Sequence, residues 1–131
     1  MKVGYLDTSV LVAIAFDEPE GRRVGPAVRR LERVYSSNLL EAEFRSASHR
    51  EGIGGDIESF LRPIRWVLPD RPLTAEIERA LQVGQLRGAD LWHLACALYL
   101  FPDAREAHFL SLDQHQLELS GLLGFDVSIC R

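Results

Sequence analysis

Four carboxylates stand in surroundings where a carboxylate is costly. Asp7 interrupts the apolar run VGYLDTSVLVAIAF (residues 3–16) and is followed by two hydroxyls. Glu43 lies in NLLEAEFRSA, Asp90 in RGADLWHLACAL and Asp113 in HFLSLDQHQLE. A buried charge is tolerated when it is paired, hydrogen-bonded or bound to a metal. Carboxylates brought within a few ångströms of one another repel, and take up protons unless a cation neutralises them. Oxygen donors without Cys or an obligatory His select Mg²⁺ or Mn²⁺ over zinc. A site of that kind activates a water and stabilises charge on a phosphoryl oxygen, often with two ions.

Each acid also has a plainer employment. Asp7 and Asp113 can cap the helices that follow them, although Thr8 or Ser9 could cap instead and free Asp7 for a ligand. Helix geometry separates Glu43 from Glu41. Leu40, Glu43, Phe44 and Ala47 follow the i, i+3, i+4, i+7 rule and share one face. Glu41 lies about 200° from Glu43 at roughly 100° per residue, which points it to solvent. Glu43 on the buried stripe is either a ligand or one end of a salt bridge to Arg50 or Arg87. Asp90 opens a helix with core positions Leu91, Leu94, Ala95 and Leu98, where the macrodipole favours an acid. The small Ala97 below it leaves room above. His93, three residues along on the same side, reads as a hydrogen-bonded helix histidine rather than a metal ligand. Ser111 points to the same side of its strand as Asp113 and can hydrogen-bond a carboxylate or a water. What the plain roles leave unexplained is the conjunction: two acids at strand ends, one opening a helix, one on a buried helix face.

The elements that must position these acids alternate. The pattern predicts strands at 2–6, 34–36, 66–68, 108–112 and 125–129. It predicts helices at 8–16, 18–33, 38–50, 56–61, 74–86, 89–100 and 114–120. Pro19 stands near the start of the second helix. A Ser-Ser-Asn cluster opens the third, Gly52 stops it, and Thr74 caps the fifth. Gly121 and Gly124 fall in the loop before the last strand. Short apolar strands separated by helices imply βα units and a sheet covered on both faces. The fold class is thus α/β, a three-layer α/β/α sandwich with a mostly parallel central sheet. Ligands in such folds bind beyond the carboxyl ends of the strands, which is where Asp7 stands.

The chain of 131 residues suits one domain, 1–131, with a real core. A hydrophobic fraction of 47% and a mean hydropathy of -0.04 indicate a globular protein. No apolar run is long enough for a membrane span and no signal peptide is evident, so the expected place is the cytoplasm, away from membranes. Cys96 and Cys130 do not make a disulfide framework and are expected to be reduced. A net charge of -4 weighs against a polyanion partner, yet of the 15 basic residues only Lys2 is not Arg. Arginine's planar fork suits phosphate, although a bias toward Arg codons explains the same count. Trp66 and Trp92 are of a type enriched at interfaces, and two such rings also fit one core.

Taken in order, YLDTSVLVA, SSNLLEAEFRSASHREG, RGADLWHLACAL and FLSLDQHQLELSGLLGFDV resemble the PIN-domain ribonucleases. The likeness is to the VapC-type toxins of bacterial toxin–antitoxin pairs in particular, and it covers nearly the whole chain. The resemblance implies that Asp7, Glu43, Asp90 and Asp113 form the catalytic metal site, with Ser9 and Ser111 as supporting hydroxyls. It implies one or two Mg²⁺ or Mn²⁺ ions and a metal-dependent endoribonuclease acting on RNA. It further implies a homodimer held inactive by a small antitoxin whose segment blocks the site. The last motif departs from many relatives, with Ser111 where they carry Thr and no fifth carboxylate, which bears on the second ion.

Two other enzymes place an Asp at the end of strand one. A haloacid-dehalogenase-type phosphatase needs an acid two residues later, where this chain has Ser9. A response-regulator receiver needs a Lys near the chain's end, and the only Lys is Lys2. The remaining alternative is a PIN-like module that binds RNA or protein without cleaving. Such a module would shed acids, and all four are present.

Overall fold

Val3–Leu6 is a strand with every residue buried, so both of its faces are covered. This strand, β1, is the centre of the molecule in a computed structural model that describes residues 2–53 and 55–131. It pairs in parallel with β2 (Arg33–Ser37) on one side and β4 (His108–Leu110) on the other, while β3 (Ile64–Val67) adds in parallel to β2. The sheet order is β3-β2-β1-β4. Every pairing in this sheet is parallel, a stricter arrangement than the mostly parallel sheet expected.

Seven α-helices are found among the described residues: α1 (Thr8–Ala15), α2 (Pro19–Arg29), α3 (Asn38–Arg50), α4 (Ile57–Leu61), α5 (Thr74–Leu81), α6 (Gly88–Leu100) and α7 (Gln114–Leu123). Successive residues of a strand face opposite sides. Leu6 meets a groove with Leu11 and Ile14 of α1 and Val28 of α2. Tyr5, on the other face, meets His93 of α6. The helices therefore make two layers around the sheet, an α/β/α sandwich. Because the strands run the same way, their carboxyl ends form one rim. Asp7 follows β1 there, with its N–H bonded to the Leu110 carbonyl of β4 at 3.0 Å.

Several boundaries differ from the pattern, each for a physical reason. The second helix stops at Arg29, because Glu32 N–H already bonds to Lys2 O at 2.9 Å and Arg33 pairs with Val3. Sheet pairing overrides the helical propensity of Arg-Arg-Leu-Glu-Arg. The third strand comes two residues early, at Ile64. α3 opens at Ser37 without a side-chain cap, and α5 has Leu73 rather than Thr74 at its N-cap. α5 ends at Leu81, short of Leu86. Gly84 lies just beyond, where any Cβ would stand 2.6 Å from Leu119 Cδ2. α7 runs on through Gly121 to Leu123, and only Gly124, at φ 111°, serves as the left-handed stop.

The expected strand at 125–129 is replaced by a single bridge between His108 and Asp126. Phe125 and Val127 are nevertheless buried. The Asp126 carboxylate then takes the Ser128 N–H at 2.9 Å, and the chain goes into a turn over 128–130 instead of continuing as a strand. Cys96 and Cys130 are free and buried. Trp66 and Trp92 are partly buried against the core. No described helix is long and apolar enough to cross a membrane.

One close approach sets the first helix pair. A Cβ built on Gly21 of α2 would lie 2.1 Å from the Ala13 carbonyl oxygen of α1. That oxygen is backbone and cannot swing aside. Gly21→Ala is expected to lower stability by about 1–3 kcal/mol, as overpacking does. Urea denaturation reads it, and an unchanged midpoint would mean the helices part freely.

Candidate active site

The end of β1 is tied to the end of β4 by one hydroxyl. Ser9 Oγ accepts the Leu112 N–H at 2.9 Å and donates to Asp7 Oδ1 at 2.5 Å. Asp7 Oδ1 also accepts the Ser9 N–H at 3.1 Å, so Asp7 is the N-cap of α1. Only 4% of its surface is exposed. Burial raises its carboxyl above the ordinary range, with the nearby Asp90 adding to the rise. The hydroxyls of Ser111 and Ser9 work against that rise without cancelling it. Asp7 is thus both a cap and a carboxylate under pressure to shed its charge.

Asp113 likewise caps its helix, accepting the Gln116 N–H of α7 on Oδ1 at 3.0 Å. Ser111 is buried, and its Oγ accepts the Asp113 N–H at 3.0 Å. Asp113 itself is exposed. Gln116 is fully buried and donates to the Asp90 carbonyl at 2.9 Å, which joins the start of α7 to the start of α6. Asp90 stands in the first turn of α6 and is half-buried. Burial raises its pKa first, the charge of Asp113 next, and Glu43 adds a smaller push. His93 and Arg87 offset part of this.

Glu43 reaches the same region from the middle of α3. Its Oε1 accepts from Thr8 Oγ1 at 2.6 Å and lies 3.2 Å from His93 Nε2. Neither Arg50 nor Arg87 is its partner. The His93 hydrogen bond is the main reason its carboxyl sits below the ordinary range. Glu41 is no more exposed than Glu43, with 32% of its side chain open against 37%, so the two differ in partners rather than in burial. Glu41 is bonded to Asn38 at 2.9 Å and to Arg45 at 2.9 Å.

Like-charge coupling therefore links Asp7 to Asp90, and Asp90 to both Asp113 and Glu43. None of Asp7, Asp90 and Asp113 forms an ion pair among the described residues. A cleft of about 400 Å³ lies over Asp90 and Asp113, walled by Gln85, Leu86, Arg87 and His115. A larger groove of about 600 Å³ lies elsewhere and contains none of the four acids. Among the described residues, no three His, Cys, Asp or Glu side chains close a ready-made metal cage. Mg²⁺ does not need one, since it keeps several waters and binds through one or two carboxylates plus substrate phosphates. An all-oxygen set with unrelieved negative charge fits such a hard cation.

The PIN domain family matches residues 4–101. The chain belongs to the PIN domain family. Asp7, Glu43 and Asp90 fall inside the matched span, whereas Asp113 lies beyond it. PIN domains are generally nucleases, so this is a fold of nuclease type. No curated protein and no solved structure matches the chain.

Sequence reasoning missed Thr8 and Tyr5 as neighbours of this PIN-domain rim. Thr8 was visible as a hydroxyl beside Asp7, yet nothing in the pattern aimed it at Glu43, 35 residues away. Tyr5 carried no signal beyond its place on a buried strand. His115, which walls the cleft, was equally unmarked, and Arg87 was marked only as a salt-bridge partner for Glu43.

Proposed function

We propose that this PIN domain, spanning 1–131, is a metal-dependent endoribonuclease that hydrolyses phosphodiester bonds of RNA. Asp7, Glu43, Asp90 and Asp113 are its metal-holding acids. The observation that carries this reading is that Asp7, Asp90 and Asp113 stand at one rim, two of them over one cleft, with no ion-pair partner among the described residues. A bound Mg²⁺ or Mn²⁺ supplies an activated water and neutralises charge on the phosphoryl oxygens.

The chain's own groups do the rest. Ser9 holds Asp7 and the end of β4 in one frame, and Ser111 holds the backbone of Asp113. Arg87, at the mouth of the acid-lined cleft, is placed to meet an RNA phosphate by its planar fork. This local charge answers the objection from a net charge of -4. The wider role we infer is the VapC-type toxin of a toxin–antitoxin pair, a cytoplasmic homodimer held inactive by a small antitoxin. What supports it is the order and wording of the four motifs.

The test is a labelled single-stranded RNA with Mg²⁺ or Mn²⁺, before and after a chelator. Cleavage that stops on chelation is expected. Glu41→Gln disturbs only the contacts with Arg45 and Asn38, which touch none of the four acids, and should stay within about twofold of wild type. Glu43→Gln should lose about tenfold or more. The opposite ranking overturns the site assignment. RNA bound but uncut at every metal concentration would make the chain a binding module instead.

A further inference from the structure

His93 exposes only 2% of its surface, yet both ring nitrogens meet side chains. Nδ1 lies 2.8 Å from Tyr5 Oη. Nε2 lies 3.2 Å from Glu43 Oε1 and 3.3 Å from Thr8 Oγ1. Tyr5 Oη in turn accepts the Ser37 N–H at 3.0 Å. An unbroken line of polar groups thus runs from the end of β2, through β1 and α6, to a carboxylate on α3.

The direction of donation is set from both ends. An ionised carboxylate can only accept, so the hydrogen between His93 and Glu43 belongs to Nε2. At the other end, Tyr5 Oη already accepts a backbone N–H, and its own hydrogen has Nδ1 within reach. Burial pushes the Tyr5 hydroxyl well up, so it keeps that hydrogen. The ring of Tyr5 is itself fixed, stacked on Phe109 at 5.6 Å and edge-on to His93 at 5.8 Å. Thr8 donates to the same Glu43 oxygen as His93, so Oε1 is occupied twice. Among the described residues Oε2 takes no hydrogen bond.

We propose that Tyr5 and His93 are positioning residues of this site. The chain Ser37 N–H to Tyr5 Oη, Tyr5 O–H to His93 Nδ1, and His93 Nε2–H to Glu43 Oε1 locks the carboxylate and leaves Oε2 for the metal ion. The role given to Glu43 rests on the nuclease reading; the hydrogen-bond chain does not. The opposite tautomer would set a bare Nε2 lone pair against the carboxylate and release Glu43 to turn. The buried core of the sheet thereby selects which oxygen of a surface acid is offered. Neither Tyr5 nor His93 touches substrate in this scheme.

The experiment has two parts. Nitrogen-15 NMR of the metal-free protein, labelled at histidine, reads the tautomer directly. His93 is expected with Nε2 protonated and Nδ1 bare, and Tyr5→Phe should erode that preference. A protonated Nδ1 in the wild type overturns the proposal. Calorimetric Mn²⁺ binding to the RNA-free protein then reads the consequence. His93→Leu should weaken Mn²⁺ by about tenfold or more, the usual cost of losing an outer partner of a metal ligand. His93→Gln carries an amide N–H near the place of Nε2 and should recover most of that loss. His93→Asn places its amide near Nδ1 and should not. The RNA KM should stay level while kcat falls at limiting metal. If His93→Leu does not fold, the contrast between Gln and Asn still decides. Equal Mn²⁺ affinity in those two variants overturns the positioning role. A wild-type chain that binds no Mn²⁺ and cuts no RNA overturns the nuclease reading, while the tautomer still decides the hydrogen-bond chain.

Discussion

Asp7→Asn is expected to cut RNA cleavage by about a hundredfold or more, because a metal ligand carries several kcal/mol of transition-state stabilisation. The same change should raise the melting temperature of the metal-free protein. Both effects follow from one arrangement. Asp7 is buried, it feels Asp90, and its carboxyl is raised above the ordinary value of 3.8. Asn keeps the oxygen that caps α1, so the Ser9 contacts survive. It removes only the charge. The pH dependence has a definite sign. Between the unfolded value near 3.8 and the higher native one, the folded protein holds a proton that the unfolded chain has lost. Stability of the wild type therefore falls as pH rises through that window. Asp90, raised by burial and then by Asp113, adds slope of the same sign. In Asp7→Asn the Asp7 contribution vanishes, so its advantage in melting temperature should grow with pH and then level off. Saturating Mn²⁺ should reverse the order by stabilising the wild type more. Melts across pH with chelator and with Mn²⁺ check this. A variant that melts below the wild type in chelator at neutral pH would mean the Asp7 charge is already compensated.

The contrast between what the sequence disclosed and what it hid lies in the range of the signals. Asp7 and Asp113 were placed at strand ends because apolar runs stop there, a local feature, and the structure has both as helix caps on one rim. Asp90 was placed by the apolar period that follows it. Glu43 was separated from Glu41 by helix geometry alone, as buried stripe against solvent. The two are in fact about equally exposed and differ in what they meet, Thr8 and His93 for one, Arg45 and Asn38 for the other. The partner of Glu43 was not legible. Arg50 and Arg87 were the candidates because charge pairs with charge, whereas the partner turned out to be a buried imidazole 50 residues away. Burial patterns state that a residue is inside, not what it meets there. The last strand failed for a related reason. Phe125 and Val127 alternate as strand residues do, and both are buried. Pairing, however, was cut short by the Asp126 side chain bonding back to Ser128, a competition that no apolar period records.

Phe109→Ala is expected to cost about 4 kcal/mol, in line with large-to-small changes of buried aromatics. That is a major part of the 5–15 kcal/mol by which domains are typically stable. The ring has no exposed surface. It is stacked on Tyr5 at 5.6 Å and tilted against Phe125 at the same separation, so it joins β1, β4 and the segment after α7. β4 is only three residues long, so beyond its backbone pairing with β1 and the bridge to Asp126 this ring is its central packing contact. With a denaturant slope of about 2 kcal/mol per molar, the urea midpoint should fall by about 2 M. Phe109→Leu keeps most of the volume and should lose roughly 1–1.5 kcal/mol. The two variants also separate packing from function. Removing the ring takes away the stack that orients Tyr5, and with it the hydroxyl that meets His93. It also loosens the strand end that carries Ser111 and Asp113. Metal affinity measured well below the unfolding transition should therefore drop in the Ala variant and hold in the Leu variant. A Phe109→Ala protein with an unshifted urea midpoint would mean the aromatic stack is ornamental to the core. One that unfolds early yet binds Mn²⁺ like the wild type would mean the rim keeps its shape without the ring beneath Tyr5.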